Sequence, residues 1–301
     1  MAGPPALTAM TMDEMQLAGV ASGECRKSGN RFAFGENWQS FIDHALDERR
    51  IQIAVGTLQR MLKARDLCHK TFLDVGCGSG LFSLAACLLG AERVVSFDYD
   101  PQSVCASLTL RERARVSTER WLVSRGSILD SEFLATCEGA DVVYAWGVLH
   151  HTGSMWQAID NAVSKVKPGG LLAISIYNKV EKRVGGSAMW WHIKRVYNRL
   201  PRRVRSMMDW GYGGILLLRR AATRQNPITM IRDYGESVGR GMDFWHDVRD
   251  WLGGFPYEYA TAGDVFTYLH EKHGLELIYL NTQSGHGCNE FTFHRPAFPK
   301  Y

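Results

Sequence analysis

The sequence predicts an α/β protein, a doubly wound sheet interrupted late in the chain by a long insertion. Short, continuously apolar runs alternate with amphipathic helical stretches over residues 40–180 and again over 261–301. That is the pattern of a parallel sheet covered on both faces. One apolar run leads straight into three alternating glycines, Gly76, Gly78 and Gly80. Residues 181–260 break the rhythm and hold most of the tryptophans and a basic run.

Composition narrows the class. The chain has 301 residues, 46% hydrophobic and 22% charged, with 30 glycines and 9 prolines. A chain of this size buries roughly 75% of the surface its unfolded form exposes, so disorder is excluded and no staples are needed. No apolar run is long enough to span a membrane. The best candidate, Gly213–Leu218, stops at Arg219 and Arg220. The first residues carry Asp13 and Glu14 and no basic start, unlike a secretory signal, and the protein is read as cytoplasmic. The 7 cysteines form no CxxC pair, so neither a disulfide framework nor a metal site is spelled out.

Residues 1–39 read as a leader, irregular to about residue 30, then Arg31–Trp38 with Phe34 and Trp38 as candidate cofactor cover. Phe41, Ala45, Leu46, Val55, Leu58 and Leu62 recur at helical intervals, giving one or two amphipathic helices. Strands are expected at Thr71–Val75, Val94–Asp98, Trp121–Ser124, Asp141–Trp146 and Leu171–Tyr177. Helices fall between them at Gly80–Leu89, Pro101–Arg115, Glu132–Thr136 and Met155–Val166, the last closed by Pro168-Gly169-Gly170. After the insertion, Thr261 caps a helix running to His273, and strands follow at Leu275–Leu280 and Asn289–His294.

The most informative stretch is Phe72-Leu73-Asp74-Val75-Gly76-Cys77-Gly78-Ser79-Gly80. Glycines serve where backbone turns tightly and approaches a ligand without a Cβ in the way. A helix opening there aims free N–H groups at that ligand. Asp98 ends the next strand, where a carboxylate can accept hydrogen bonds from both hydroxyls of a ribose. A dinucleotide site would carry GxGxxG, and the spacing here is GxGxG with Asp74 before it.

In these residues the chain resembles the class I S-adenosylmethionine-dependent methyltransferases, nearest to the small-molecule and quinol-type members. Asp141-Val142-Val143-Tyr144-Ala145-Trp146 with His150-His151 resembles their fourth-strand motif, and Lys167-Pro168-Gly169-Gly170-Leu171 the turn before strand five. The resemblance implies a seven-stranded Rossmann-like fold and S-adenosylmethionine as cofactor. It places Asp74, Gly76, Cys77, Gly78, Gly80, Asp98, Tyr99, Ser127, Ile128 and Trp146 at that cofactor, under Phe34 and Trp38. Ser127 stands where the family often has Asp. Cys77 reads as a small filler at a tight turn. Asp74 either orders the turn or meets the donor's amino group indirectly.

Methyl transfer from a sulfonium is an in-line displacement, so the protein must align the acceptor and, where needed, take a proton. His151 or His150, at the expected methyl position, is the candidate base, with a turn-ordering role as the alternative. The insertion is expected to act as a mostly helical lid, with Trp245, His246, Tyr257 and His286 near the acceptor. From Glu181 to Arg232 there are 12 Lys/Arg against 2 acidic residues, and Lys194 to Arg205 alternate with aromatic and aliphatic residues. This reads as a solvated helix face or, through residues 190–224, as contact with an anionic membrane surface; nucleic acid is not expected. The predicted activity is methylation of a hydroxyl oxygen on a small or lipid-like molecule. A thiol or sulfide acceptor, or a catalytically silent cofactor-binding module, are the alternatives.

Overall fold

The computed structural model describes residue 32 and residues 34–237 and 242–297. The expected irregular leader, residues 1–30, lies outside them.

Two helices open the described chain. α1 (Phe34–His44) buries Phe41 and Ile42 on the face that also carries Trp38, a spacing of three and four residues. It begins at Phe34, so the expected cover residues belong to a helix and not to the segment before it. α2 (Glu48–Leu62) is capped by Asp47, whose side chain accepts from the Arg50 N–H at 2.8 Å. Alternation follows: β1 (Thr71–Val75), α3 (Leu81–Leu88), β2 (Arg93–Asp98), α4 (Pro101–Arg113), β3 (Trp121–Arg125), α5 (Ser131–Thr136), β4 (Ala140–Ala145), a short 3₁₀ turn (Leu149–His151), α6 (Met155–Ser164) and β5 (Val166–Tyr177). The insertion contributes α7 (Ser187–Tyr197), α8 (Arg202–Ala222), α9 (Pro227–Arg232), α10 (Tyr234–Ser237) and α11 (Phe244–Gly253). α12 (Ala262–Thr267), opened by a Thr261–Asp264 capping box, a turn of π-helix at Tyr268–Lys272, β6 (Glu276–Asn281) and β7 (Cys288–His294) complete the core.

The sheet has 7 strands in the order β3-β2-β1-β4-β5-β7-β6. β1 to β5 pair in parallel, and β7 runs antiparallel to both β5 and β6. The sheet is therefore mixed, where a parallel one was expected. A helical crossover separates parallel neighbours, whereas β6 and β7 are joined by a short link that permits only a reversal. α1 to α4 cover one face around Phe41, Leu58, Met61 and Trp121, and α6 and α12 cover the other around Ile159, Val265, Phe291 and Phe293. The insertion forms a third, smaller core around Tyr197, Phe244, Val248 and Leu252. Among the described residues no helix is long and apolar enough to cross a membrane.

Phe255–Ala260, leaving the insertion, stitches it to the core. The Glu258 N–H donates to the His150 carbonyl at 2.9 Å, and the Ala260 N–H to the Tyr177 carbonyl at 3.0 Å. The Glu258 carboxylate accepts from the N–H groups of Gly153 (2.9 Å) and Met155 (3.2 Å) at the start of α6, where Ser154 makes no side-chain cap. A negative charge at that end of a helix is favourable.

Phe41 is fully buried between α1 and the sheet-covering helices. Phe41→Ala is expected to lower the unfolding free energy by about 3–5 kcal/mol, read from urea denaturation. A loss below about 1 kcal/mol would show that α1 is not built into the core.

Candidate active site

The glycine turn sits at the C-terminal end of β1, where the sheet order changes direction between β1 and β4, the usual ligand crevice of open α/β sheets. Gly76, Gly78 and Gly80 all have left-handed backbone, φ 69°, 55° and 77°. A Cβ at Gly76 would fall 2.5 Å from both Val148 methyls, and one at Gly78 2.9 Å from Trp38 Nε1. So the turn is pressed between the residues that follow β4 and the Trp38 indole of α1. Phe34, one turn earlier on α1, packs its ring 5.1 Å from that of His151.

Asp98 holds the turn in shape. Its Oδ2 accepts from the Gly78 N–H at 3.0 Å and its Oδ1 from the Asp100 N–H at 2.9 Å. A carboxylate can accept about four hydrogens, so these two bonds are compatible with receiving ribose hydroxyls. Asp100 in turn caps α4 through Gln102 and accepts from the Gly35 N–H at 2.9 Å, tying α1 to the site.

Asp74 lies beneath the turn, 3% exposed, with Ser83 Oγ donating to its Oδ2 at 2.6 Å. Burial raises its carboxyl from 3.8 to about 7; the Ser83 bond opposes the rise and the nearby Asp98 charge adds to it. Cys77 is also buried, and that burial, with the Asp98 and Asp74 charges, pushes its thiol well up, so it offers no thiolate. After β3, Ser127 Oγ accepts from the Leu129 N–H at 3.2 Å, using one of its two lone pairs. Ile128 is buried and Tyr99 is half-exposed at the rim. Trp146 turns toward β7, donating Nε1–H to Glu290 at 2.9 Å.

Beyond the turn the insertion closes over the ends of β4 and β5. His150 is fully buried, and neither ring nitrogen finds a hydrogen-bond partner in good geometry. Burial, then the neighbouring His151, pulls its pKa well down, so the imidazole is neutral. His151 donates Nδ1–H to the Pro256 carbonyl at 2.5 Å, and its opposite edge packs on Gly254. Tyr177 stacks beside them, 4.0 Å from the His150 ring centroid and 5.1 Å from that of Tyr257. Trp251 and His286 extend the cluster, 5.5 Å apart.

Of the four insertion-side residues expected near the acceptor, Tyr257 and His286 join this cluster. Trp245 and His246 do not. Trp245 packs on Trp210 and Gly213 in the satellite core. His246 is pinned between Asp243 (2.9 Å) and Ser40 (3.2 Å), where it docks α11 on α1. Trp251, also expected in the lid, joins the cluster too, whereas Tyr177 and Lys194 escaped the sequence reading. Lys194 was grouped with a solvated basic face, yet it is 0% exposed. The signal was available: Ser187, Trp190, Lys194 and Tyr197 fall at one helical spacing, on the face α7 turns inward.

A family model described as ribosomal protein L11 methyltransferase (PrmA) matches residues 52–199. A protein of Photobacterium profundum named ribosomal protein L11 methyltransferase is 40% identical over 114 residues, 38% of this chain and 36% of the relative. The chain thus spans about a third of the length of the curated relatives it matches. Two solved structures align over 86% of this chain with a TM-score of 0.49: an O-methyltransferase family protein from Burkholderia thailandensis (14% identical, 60% of that chain) and magnesium protoporphyrin IX methyltransferase from Synechocystis with bound S-adenosylhomocysteine (13% identical, 93% of that chain). Over residues 52–199 the family model and the curated relative, with the glycine turn and Asp98, show a core of the class I S-adenosylmethionine-dependent methyltransferase superfamily. S-adenosylmethionine is the cofactor of that core. Within that superfamily the matched stretch resembles the ribosomal protein L11 methyltransferases.

This corrects the expected acceptor. The matched relatives are named for a protein, not for a hydroxyl on a small or lipid-like molecule, and neither a thiol acceptor nor a silent module fits them better. The expected partners fall with it, including the anionic membrane surface and the exclusion of nucleic acid, since relatives named for a ribosomal protein point away from both. Lys194, the first cation of the inner basic stretch, is enclosed by aromatic rings and faces no lipid.

Two outcomes are expected. Asp98→Ala should weaken S-adenosylmethionine binding tenfold to about a hundredfold by calorimetry, the worth of charge-assisted hydrogen bonds; unchanged affinity would remove Asp98 from the donor site. The raised Asp74 pKa means that the folded state holds a proton the unfolded state releases, so its contribution to stability falls as pH rises from about 4 through about 7. Asp74→Asn does not titrate and can still accept from Ser83. Its Tm advantage over the parent should therefore grow between about pH 5 and about pH 8, and a constant difference would mean that Asp74 is charged throughout.

Proposed function

We propose that this chain transfers the methyl group of S-adenosylmethionine to an acceptor carried on a protein. The observation that carries this is the 40% identity, across the donor-binding core, to a relative named for a ribosomal protein acceptor. The turn supports the donor reading: its three left-handed glycines let Val148, Trp38 and Ser107 pack directly on its backbone, and Asp98 stands at the ribose end.

The bound cofactor supplies a methyl group already activated on a sulfonium. The chain's own residues do the remaining work. Asp98 takes the ribose end of the donor, while Trp38 and Phe34 on α1 cover the turn. The described residues of the insertion form the lid on the acceptor side, and Phe255–Ala260 seals the ends of β4 and β5 against water. A dry, rigid pocket favours in-line displacement because alignment is set before the reaction.

The insertion also offers a macromolecule something to hold. α8 exposes Met207, Trp210, Ile215 and Leu218, alongside the exposed Arg202, Arg203, Arg219 and Arg220. A contiguous apolar and basic face of this kind supports a large partner.

The test is incubation of the full chain with methyl-labelled S-adenosylmethionine and isolated ribosomal protein L11, with other ribosomal proteins in parallel. Label on L11 is expected. Label that appears only in a small-molecule fraction would refute the protein acceptor.

A further inference from the structure

We infer that the outward face of α8 is a docking site for the protein partner, and that its occupant is an amphipathic helix, apolar along its middle and acidic at both ends. This rests on the protein-acceptor reading above and deepens it by naming how that partner is held.

The middle of the face is apolar. Val204, Met207, Gly211, Ile215 and Leu218 follow one another at intervals of three and four residues and so form one straight stripe. Met207 is 73% exposed and Leu218 71%, and the Trp210 ring stands beside them at 64%. Glycine in the middle of a helix weakens it. A Cβ at Gly211 or Gly214 would meet open space, so no packing inside the described chain demands either residue. Their effect is to flatten the stripe and let another backbone lie close.

Charge sits at the two ends. Arg202, Arg203 and Arg205 stand in the first turn of α8 and Arg219 and Arg220 in its last, with no basic residue in the turns between. The single acid of α8, Asp209, is buried and accepts from the Tyr197 hydroxyl at 2.7 Å. The first turn of a helix disfavours positive charge, so the arginines there work against the stability of α8 itself. The surplus continues into the neighbouring segments: from Lys182 to Arg224 there are 11 Lys/Arg against that 1 acid.

These features select the occupant. A second copy, laid parallel or antiparallel, would set arginines against arginines at both ends. A nucleic acid carries a phosphate at every step and would press charge onto the apolar turns between. A straight apolar stripe is what another helix packs along. Carboxylates on that helix, spaced to match the about 24 Å between Arg203 and Arg219, complete the fit. The site flanks the donor turn: Gly213 of α8 packs on Trp245 of α11, His246 of α11 meets Ser40 of α1 at 3.2 Å, and α1 carries Trp38 against the turn.

The probe is a fluorescent peptide of about 18 residues, with a leucine stripe and glutamates at each end, titrated against the full chain by anisotropy in the absence of S-adenosylmethionine. Parallel titrations use the same peptide with lysine ends and a single-stranded RNA of equal length. The acidic peptide is expected to bind, weakened about tenfold by Met207→Gln with Leu218→Gln, and about tenfold by Arg202→Glu with Arg203→Glu. The second pair suits the helix dipole, so its loss of binding reports contact and not folding. A photo-crosslinker at position 215 should reach the peptide. No binding of the acidic peptide, equal binding of the lysine-ended one, tighter binding of the RNA, or crosslinks from the chain alone to residues 1–31 or to a second copy each overturn the inference. The acidic peptide bound as expected while L11 stays unlabelled sustains the docking face and defeats only L11 as acceptor. L11 labelled with no peptide bound defeats only the docking face.

Discussion

The Asp98 carboxylate is the constraint on which the rest of the structure depends. One oxygen fixes the Gly78 amide and the other the Asp100 amide, so a single side chain joins the turn after β1 to the start of α4. Asp100 passes the restraint on to Gly35 and hence to α1. The donor cradle, the strand that borders it and the helix that covers it are thus one hydrogen-bonded assembly. Each left-handed glycine is needed because the space a Cβ would take is already occupied by Val148, Trp38 or Ser107.

The core was legible because its physics is local. Short, largely apolar runs such as Thr71–Val75, bounded by turn residues, read as buried strands, and Asp100-Pro101 and Thr261 announce helix starts through their own side chains. The antiparallel β7 follows from the short link after β6, a signal present in the sequence and outweighed there by the strand–helix alternation before it. α1 was placed too late, because Phe34 and Trp38 were read for their rings rather than for the helical spacing they share with Phe41.

The glycine turn and the position of Asp98 were readable in the sequence, and the aromatic cluster beyond them was not. Backbone turns need glycine wherever they occur, so the pattern carries its own meaning. That cluster is assembled from distant pieces: His150 after β4, Tyr177 at the end of β5, Lys194 on α7, Trp251 on α11 and Tyr257 beyond it. Nothing in the neighbourhood of any one of them specifies the others. Charge counting misled as well, because Lys194 was averaged with arginines of its segment although its helical position turns it inward.

Glu258 has a bearing on how such enzymes diversify. Its carboxylate completes the first turn of α6, a core helix, from within the segment that leaves the insertion. The specificity-bearing stretch therefore does not behave as an interchangeable cassette: a chimaera that imported another lid would strip a core helix of its missing anion. Variation in this lineage has to proceed around a fixed stitch, by altering the far helices while the returning segment stays in place.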